Sequence, residues 1–170
     1  LVVFSPENHD QEIARFTFPR QPRRDRLCLA DYYLPLESGR RDVAVFQIVT
    51  VGSEASRRTE RLQASGEYSE SFFTHGLSVQ SAEGLADYVH DRIREAVGAA
   101  KEQGKRYSWG YPACPDLSQH SLVNQLLDAG AIGVNVTDGF QFEPEQTTAA
   151  LVVLHPDARY YALALSGKDD

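Results

Sequence analysis

The sequence lacks methionine entirely and contains only two cysteines, Cys28 and Cys114, among its 170 residues. Two cysteines are too few for a disulfide framework, which favours the reducing cytoplasm as the location. No apolar run approaches the ~20 residues that a membrane span needs, and the apolar residues 1–4 do not resemble a signal peptide. Because the chain begins with Leu1 and has no methionine, we expect it to be part of a longer protein.

Positive charge is also scarce, since Lys+Arg 17 against Asp+Glu 24 gives a net charge of −7. An acidic chain has no general attraction for nucleic acid or for an anionic membrane, so neither is predicted as a partner. The exception is segment 19–26, which is either a solvated loop whose arginines pair with nearby carboxylates or a docking patch for an acidic partner. Its arginines are Arg20, Arg23, Arg24 and Arg26.

The familiar catalytic signatures are missing as well. The sequence contains no GxSxG, HExxH, GxxxxGK[ST] or GxGxxG motif and no CxxC pair. The five histidines occur singly along the chain, and a lone histidine is more often a hydrogen-bonded structural residue than a metal ligand. The sequence therefore predicts neither a catalytic residue nor a metal site.

What the sequence does contain is the pattern of a mixed domain. Short runs of β-branched and apolar residues are typical of strands. The run at 43–51 is nearly continuous, which predicts a central strand buried on both faces. The predicted strands cover residues 1–4, 13–18, 27–33, 43–51, 133–137, 149–154 and 160–165.

Helical periodicity occupies the middle of the chain, from about residue 53 to residue 98, and a shorter helix is predicted at 118–128. Apolar residues recur every four positions in the long helix and predict a stripe that faces a sheet. Strands on both sides of a helical block favour a single α+β domain. Its sheet is predicted to be mostly antiparallel and twisted, flanked by one long amphipathic helix and shorter helices. The stripe consists of Leu85, Val89, Ile93 and Val97, with Ala82 and Ala86 beside them.

The segment 105–116 holds the only tryptophan, one of the two cysteines and two prolines. Prolines fix φ and lack an N–H, so the loop is predicted to be stiff, with carbonyls that point outward unpaired. Arg106 offers a planar donor fork suited to a carboxylate, and Gly110 allows a ligand or another backbone to approach closely. Cys114 has no adjacent base and is interpreted as a small packing residue. The same features equally fit a rigid connection between helices with aromatic anchors.

The tandem Tyr160 and Tyr161 belong to a predicted strand. In a strand their rings point to opposite faces, so one can pack inward while the other meets a ligand. Such a pair is also typical of ordinary strand aromatics.

The string RYSWGYPACP at residues 106–115 resembles the R-x-x-x-G-Y-P-A-C-P motif of the reactivation domain of cobalamin-dependent methionine synthase. Further stretches resemble the same domain in the same order. The resemblance covers nearly the whole chain and identifies residues 1–170 as an S-adenosylmethionine-binding activation domain. The family's domain begins further upstream, so this chain is expected to be truncated at its N-terminus. The further stretches are residues 15–21, 27–32, 82–92 and 155–162.

The resemblance implies a function. Domains of this family bind S-adenosylmethionine beside a cobalamin that a neighbouring domain or partner holds, and a flavodoxin-type reductant supplies the electron for reductive remethylation of cob(II)alamin. The parent enzyme is a methyltransferase that makes methionine from homocysteine and methyltetrahydrofolate. The isolated domain is not expected to turn over alone, and no residue need act as an acid or base, because the cobalt is the nucleophile.

The resemblance also assigns site residues. Arg106 would hold the methionyl carboxylate of S-adenosylmethionine. Gly110 and Tyr111 would shape the ligand groove and approach the corrin. Tyr160 and Tyr161 match the family's tandem tyrosines at the adenosyl part of the site.

Two further parts of the chain enter this implied site. Pro112, Ala113 and Cys114 would line the groove with backbone carbonyls that suit the sulfonium and the adenine amino group. Glu83 matches a helix glutamate of the family that lies near the ligand.

The alternative to a reactivation module is a stand-alone S-adenosylmethionine-binding or docking module that acts on a separate cobalamin protein. A structural fragment that binds nothing is the third interpretation. Arg106 and the tandem tyrosines favour the first two over the third.

Overall fold

The computed structural model describes residues 1–22 and 25–161, in which antiparallel strands and helices form the α+β domain that the sequence predicts. The strands are β1 (Val2–Phe4), β2 (Glu12–Arg15), β3 (Val45–Thr50), β4 (Lys105–Tyr107), β5 (Asn135–Val136), β6 (Phe142–Glu143) and β7 (Thr147–Val153). The α-helices are α1 (Ser53–Ala64), α2 (Tyr68–Val97) and α3 (His120–Leu126). Short 3-10 helices lie at Leu29–Tyr32, Leu36–Ser38, Leu117–Gln119 and Ala129–Ile132.

The central sheet has three strands in the order β3-β7-β4, and both pairings are antiparallel. The pairing of β3 with β7 runs from Val45 opposite Val152 to Thr50 opposite Thr147. β1 pairs with β2 and β5 with β6 as separate two-stranded ladders. None of the helices in the described residues has the length and apolar content needed to cross a membrane.

The prediction of a central strand at 43–51 is wrong in position, because β3 is an edge strand of this sheet and is only half-buried. The middle strand is β7, whose residues from Ala149 to Val153 are all buried. Its alanines and valines are small enough to allow helices and loops to pack closely on both faces. A β-branched run indicates a strand, whereas the place of that strand depends on its partners.

The strand predicted at 27–33 is also wrong, because a 3-10 helix occupies Leu29–Tyr32. The Asp31 N–H donates to the Cys28 carbonyl and the Tyr33 N–H to the Ala30 carbonyl. These local bonds satisfy backbone groups that a strand would offer to a neighbour. Of the strand predicted at 160–165, the two tyrosines are described and lie outside any strand, and residues 162–165 lie outside the described residues.

The helical block at 53–98 divides into α1 and α2, which pack against each other. Gly66 adopts a φ of +79° between them, in the left-handed region that favours glycine. The chain therefore turns back at this point, and α2 continues across the central sheet.

The predicted apolar stripe of α2 is confirmed at Ala82 and Ala86, which are buried, and wrong at Leu85 and Val97, which are 38% and 50% exposed. The buried face is centred on the two alanines and also carries His90. The side-chain amide of Gln47 on β3 donates to the Ala86 carbonyl at 3.4 Å. Small residues let α2 approach the sheet closely enough for this bond, which large apolar residues would prevent.

His90 is 6% exposed, and its Nε2 has no hydrogen-bond partner among the described residues. Burial, and then the charges of Arg94 and Arg106, lower the pKa of His90 to about 4. Between the ordinary pKa near 6.5 and the lowered pKa near 4, His90 is protonated in the unfolded chain but neutral in the folded chain, so a fall in pH favours unfolding. We expect stability to fall by roughly 1–3 kcal/mol as the pH is lowered from about 7 to about 4.5.

Urea unfolding at these two pH values tests this expectation. The variant His90→Gln should lose less stability between them than the wild type, while His9→Gln, at an exposed position, should keep the wild-type difference. If the stability of His90→Gln depends on pH as strongly as that of the wild type, the loss of stability at low pH is not caused by His90.

Candidate functional site

A cleft of about 720 Å³ opens at the edge of the central sheet where β4 ends. β4 pairs only with Leu151–Val153 of β7, so residues 147–150 have no strand partner on that side within the described part of the chain. These four residues line the cleft together with parts of α2 and of the loop after β4. Every predicted site residue except Gly110 lies in its wall. Those residues are Glu83, Arg106, Tyr111, Pro112, Ala113, Cys114, Tyr160 and Tyr161.

Arg106 reaches the cleft because of the strand register. It pairs with Val152 and therefore shares a sheet face with Ala150 and its partner Gln47, the face that α2 covers. The neighbouring Tyr107 points to the opposite face and is 3% exposed in the core. Alternation along β4 thus places the guanidinium against α2.

The guanidinium of Arg106 is 18% exposed and pairs with acidic residues of α2. Its Nη2 lies 2.6 Å from Oδ1 of Asp87 and 4.0 Å from Oε2 of Glu83. Within the described residues, Nε and Nη1 of Arg106 make no hydrogen bond. One cation beside two carboxylates gives this end of the cleft a local excess of negative charge.

The motif loop after β4 is a tight turn. The Cys114 N–H donates to the Tyr111 carbonyl at 2.9 Å, and the Gly110 N–H donates to the Cys114 carbonyl at 3.0 Å. The prediction that the loop carbonyls are unpaired is therefore wrong for Tyr111 and Cys114. In the described part of the chain, the carbonyls of Pro112 and Ala113 accept no hydrogen bond.

Gly110 does not line the cleft, although its conformation shapes the loop. Its φ is +86°, and a Cβ at this position would lie 3.1 Å from Cδ2 of Leu117. Glycine is required here by backbone geometry and by close packing on Leu117.

Cys114 is 1% exposed, and its Sγ donates to the Ser108 carbonyl at 2.9 Å. Burial raises the pKa of its thiol to about 12, so the reactive thiolate is not populated near neutral pH. The structure agrees with the interpretation of Cys114 as a packing residue.

Replacing Cys114 with serine should leave ligand binding within about twofold of the wild type, because a hydroxyl can donate to the same carbonyl. Calorimetric titration of both proteins with S-adenosylmethionine measures the effect. A loss as large as that of Arg106→Ala would show that the thiol itself contributes to the site.

Trp109 anchors the motif loop to the core, in agreement with the alternative interpretation of this loop as a rigid connection with aromatic anchors. Its Nε1 donates to Oε1 of Gln119 at 3.1 Å, and the amide of Gln119 donates to the Thr17 carbonyl at 2.9 Å. The indole ring contacts Phe16 and Phe46 at centroid distances of 5.9 and 6.4 Å. A single tryptophan in a proline-rich loop was the available signal, whereas nothing in the sequence pointed to Gln119.

The rings of the tandem tyrosines pack beside the ring of Tyr107 at the cleft. The Tyr107 hydroxyl donates to the Arg159 carbonyl at 2.7 Å, and its ring lies 5.5 Å from that of Tyr160 and 6.5 Å from that of Tyr161. Tyr160 is 67% exposed, whereas Tyr161 is half-buried. Burial raises the pKa of Tyr161, so its hydroxyl stays protonated.

His120 is a further residue of the cleft wall that the sequence did not single out. Its Nδ1 lies 2.7 Å from the Phe140 carbonyl, and its ring lies 4.2 Å from that of Phe142. Burial lowers the pKa of His120, so a neutral imidazole lines this end of the cleft. Isolated histidines give no sequence signal for such a position.

The arginine-rich segment is described only in part. Arg20 pairs with Asp31, with 2.6 Å between Nη2 and Oδ1, and also donates to the Arg26 carbonyl. For Arg20 this favours pairing within the domain. Arg23 and Arg24 lie outside the described residues.

The residues that the structure describes contain no group of three or more His, Cys, Asp or Glu side chains that could hold a metal ion. The cleft wall offers one arginine, acidic side chains, tyrosines and backbone carbonyls for recognition of a ligand.

Comparisons with known proteins identify the family of the chain. The chain is 38% identical to methionine synthase of Mycobacterium tuberculosis (strain ATCC 25618 / H37Rv) over an alignment of 185 residues. This alignment covers 95% of the chain and 16% of that protein. The chain is 35% identical over 184 residues to methionine synthase of Mycobacterium leprae (strain TN), covering 95% of the chain and 15% of that protein. The chain thus spans only a small part of these relatives.

A solved structure, described as the MetH reactivation domain bound to AdoHcy, superposes with a TM-score of 0.88 at 26% identity. The match covers 96% of this chain and 56% of that one. The family model described as the activation domain of vitamin B12-dependent methionine synthase matches residues 1–170. The chain therefore belongs to the family of activation domains of vitamin B12-dependent methionine synthase.

Proposed function

We propose that the cleft binds S-adenosylmethionine and presents its methyl group for the reductive remethylation of cobalamin. The observation that carries the proposal is the convergence of Arg106, Glu83 and the tandem tyrosines on one cleft. The similar solved structure is a reactivation domain bound to AdoHcy, which supports a ligand of this class. AdoHcy is S-adenosylhomocysteine, the product that S-adenosylmethionine leaves after it has given up its methyl group.

Arg106 binds the carboxylate of the methionyl part. Asp87 takes only one N–H of Nη2, so the other edge of the guanidinium keeps two parallel N–H donors, which match the two oxygens of a carboxylate. The ligand's ammonium group lies next to its carboxylate and donates to the carboxylate of Glu83, which lines the same wall. The arginine and the glutamate together recognise a zwitterion.

Backbone carbonyls and tyrosine rings contact the sulfonium and the adenosyl part of the ligand. The free carbonyls of Pro112 and Ala113 stabilise the positive sulfonium. Tyr160 and Tyr161 pack against the adenosyl part, because aromatic rings bury large apolar area and offer a polar tip.

The rim of the cleft fits a docked corrin. Tyr111 and Tyr160 both line the cleft and are each 67% exposed, so they present aromatic surface to a planar, largely apolar macrocycle from outside. Cobalamin, held by a neighbouring domain or partner, supplies a reduced cobalt as the methyl acceptor. The methyl group would bond to the electron pair of that reduced cobalt as the S–CH3 bond breaks with its own pair remaining on sulfur, which would leave S-adenosylhomocysteine in the cleft.

No proton moves in this transfer, so the chain needs no acid or base. Its residues orient the ligand and favour its positive charge through Glu83 and Asp87. The electron donor is a flavodoxin-type reductant, and the setting is the cytoplasm. The methyltransferase to which this module belongs makes methionine from homocysteine and methyltetrahydrofolate.

Methyl transfer from radiolabelled S-adenosylmethionine tests the proposal. The chain is mixed with a separately produced cobalamin-binding module of the family and a low-potential chemical reductant. Label should enter cobalamin only when the chain, the ligand and the reductant are all present. Equal label without the chain would contradict the proposed function.

A further inference from the structure

Asp87 lies behind Arg106, outside the wall of the cleft. We propose that Asp87 is a positioning residue that orients the Arg106 guanidinium toward the ligand's carboxylate. The inference rests on the proposed function of the cleft and assigns a role to a residue that the family motif does not contain.

The helical spacing separates the roles of the two acids. Asp87 follows Glu83 by four residues on α2, so both side chains lie on the same face. Glu83 lines the cleft and lies 4.0 Å from Nη2 of Arg106, while Asp87 does not line it and lies at 2.6 Å. The closer acid holds the arginine, and the more distant one faces the ligand.

This division matters because both acids compete for the same cation. Asp87 takes one N–H of Nη2, so the two-pronged edge of the guanidinium that Asp87 does not face keeps both of its N–H donors free for a carboxylate. Without the Asp87 charge, Arg106 would pair with Glu83, its next acidic neighbour. That pairing would occupy both groups that recognise the zwitterion.

The burial of Arg106 limits the positions that its guanidinium can adopt, because its side chain is only 18% exposed. The Asp87 side chain is 73% exposed. An ordered guanidinium with one fixed nitrogen loses less conformational entropy when a ligand binds.

The test uses Asp87→Asn, which keeps the size of the side chain and removes its charge. The probes are S-adenosylhomocysteine and 5′-methylthioadenosine, which both carry no net charge near neutral pH. Only the first has the carboxylate and ammonium groups. Titration calorimetry should show S-adenosylhomocysteine weakened about two- to fivefold, the size typical of an ion pair with one exposed partner. The affinity for 5′-methylthioadenosine should not change.

Three further variants sharpen the result. Asp91→Asn, on the same helix, removes an acid that pairs with Arg94 instead and should bind both probes like the wild type. Asp87→Glu should keep more affinity than Asp87→Asn, because it retains the charge. In an Arg106→Ala background, Asp87→Asn should have no further effect, since Asp87 acts only through Arg106.

Equal weakening of both probes would overturn the inference, because it would indicate a merely structural role. So would unchanged affinity for S-adenosylhomocysteine in Asp87→Asn, or an undiminished effect in the Arg106→Ala background. If the wild-type chain binds neither probe, the proposed function itself fails and the inference fails with it.

Discussion

Replacing Arg106 with alanine is expected to weaken S-adenosylmethionine binding about ten- to hundredfold. The loss corresponds to a charge-assisted, two-pronged contact worth roughly 1.5–3 kcal/mol. The effect is large because the guanidinium is only 18% exposed and stands beside two carboxylates. Once it is gone, the ligand's carboxylate would face Glu83 and Asp87 without a counter-ion. Titration calorimetry of the variant and the parent measures the difference.

Two matched variants separate the site from general effects of charge. Arg92→Ala removes an exposed arginine that pairs with Glu95 on α2 and should bind like the parent. Arg106→Lys keeps the charge but loses the planar fork, and an intermediate affinity is expected. Equal affinities for Arg106→Ala and the parent would discard the carboxylate contact.

Replacing Phe16 with alanine is expected to lower the free energy of unfolding by about 3–5 kcal/mol. Phe16 is 1% exposed, and its ring contacts those of Phe18, Phe46 and Trp109. Removing it leaves a cavity directly beneath the indole that anchors the motif loop. Urea unfolding followed by fluorescence measures the loss, since Trp109 is the only tryptophan.

Phe72→Ala is the matched control, because Phe72 is 73% exposed. Its unfolding free energy should stay within about 0.5 kcal/mol of the parent. A loss below about 1 kcal/mol for Phe16→Ala would mean that this aromatic cluster does not support the site.

Local signals in the sequence predicted a large part of the fold. The β-branched run at 43–51 and the periodic block at 53–98 indicated a strand and helices, and the motif string pointed to the loop after β4. These signals come from residues that are close together in the chain, so they can be read from the sequence without knowledge of the fold. The convergence of Arg106 and Glu83 followed only from the resemblance to a family, because it joins a strand to a distant helix.

Features set by tertiary packing were not predictable in this way. The face of α2 that becomes buried carries Ala82, Ala86 and His90, since small residues permit close approach to the sheet. Periodicity included both alanines in the stripe but gave the larger Leu85 and Val97 equal weight, and it did not include His90. The pairing of Asp87 with Arg106 likewise depends on how β4 faces α2, which neither segment reveals alone.

A crystal structure of the chain grown with S-adenosylhomocysteine tests the central claim most directly. The account predicts the ligand in the cleft, its carboxylate on the guanidinium edge of Arg106 that Asp87 leaves free, its ammonium near Glu83, and Asp87 still bonded to Nη2. A ligand bound elsewhere, or one whose carboxylate lies in solvent while Arg106 contacts only acidic side chains, would contradict it.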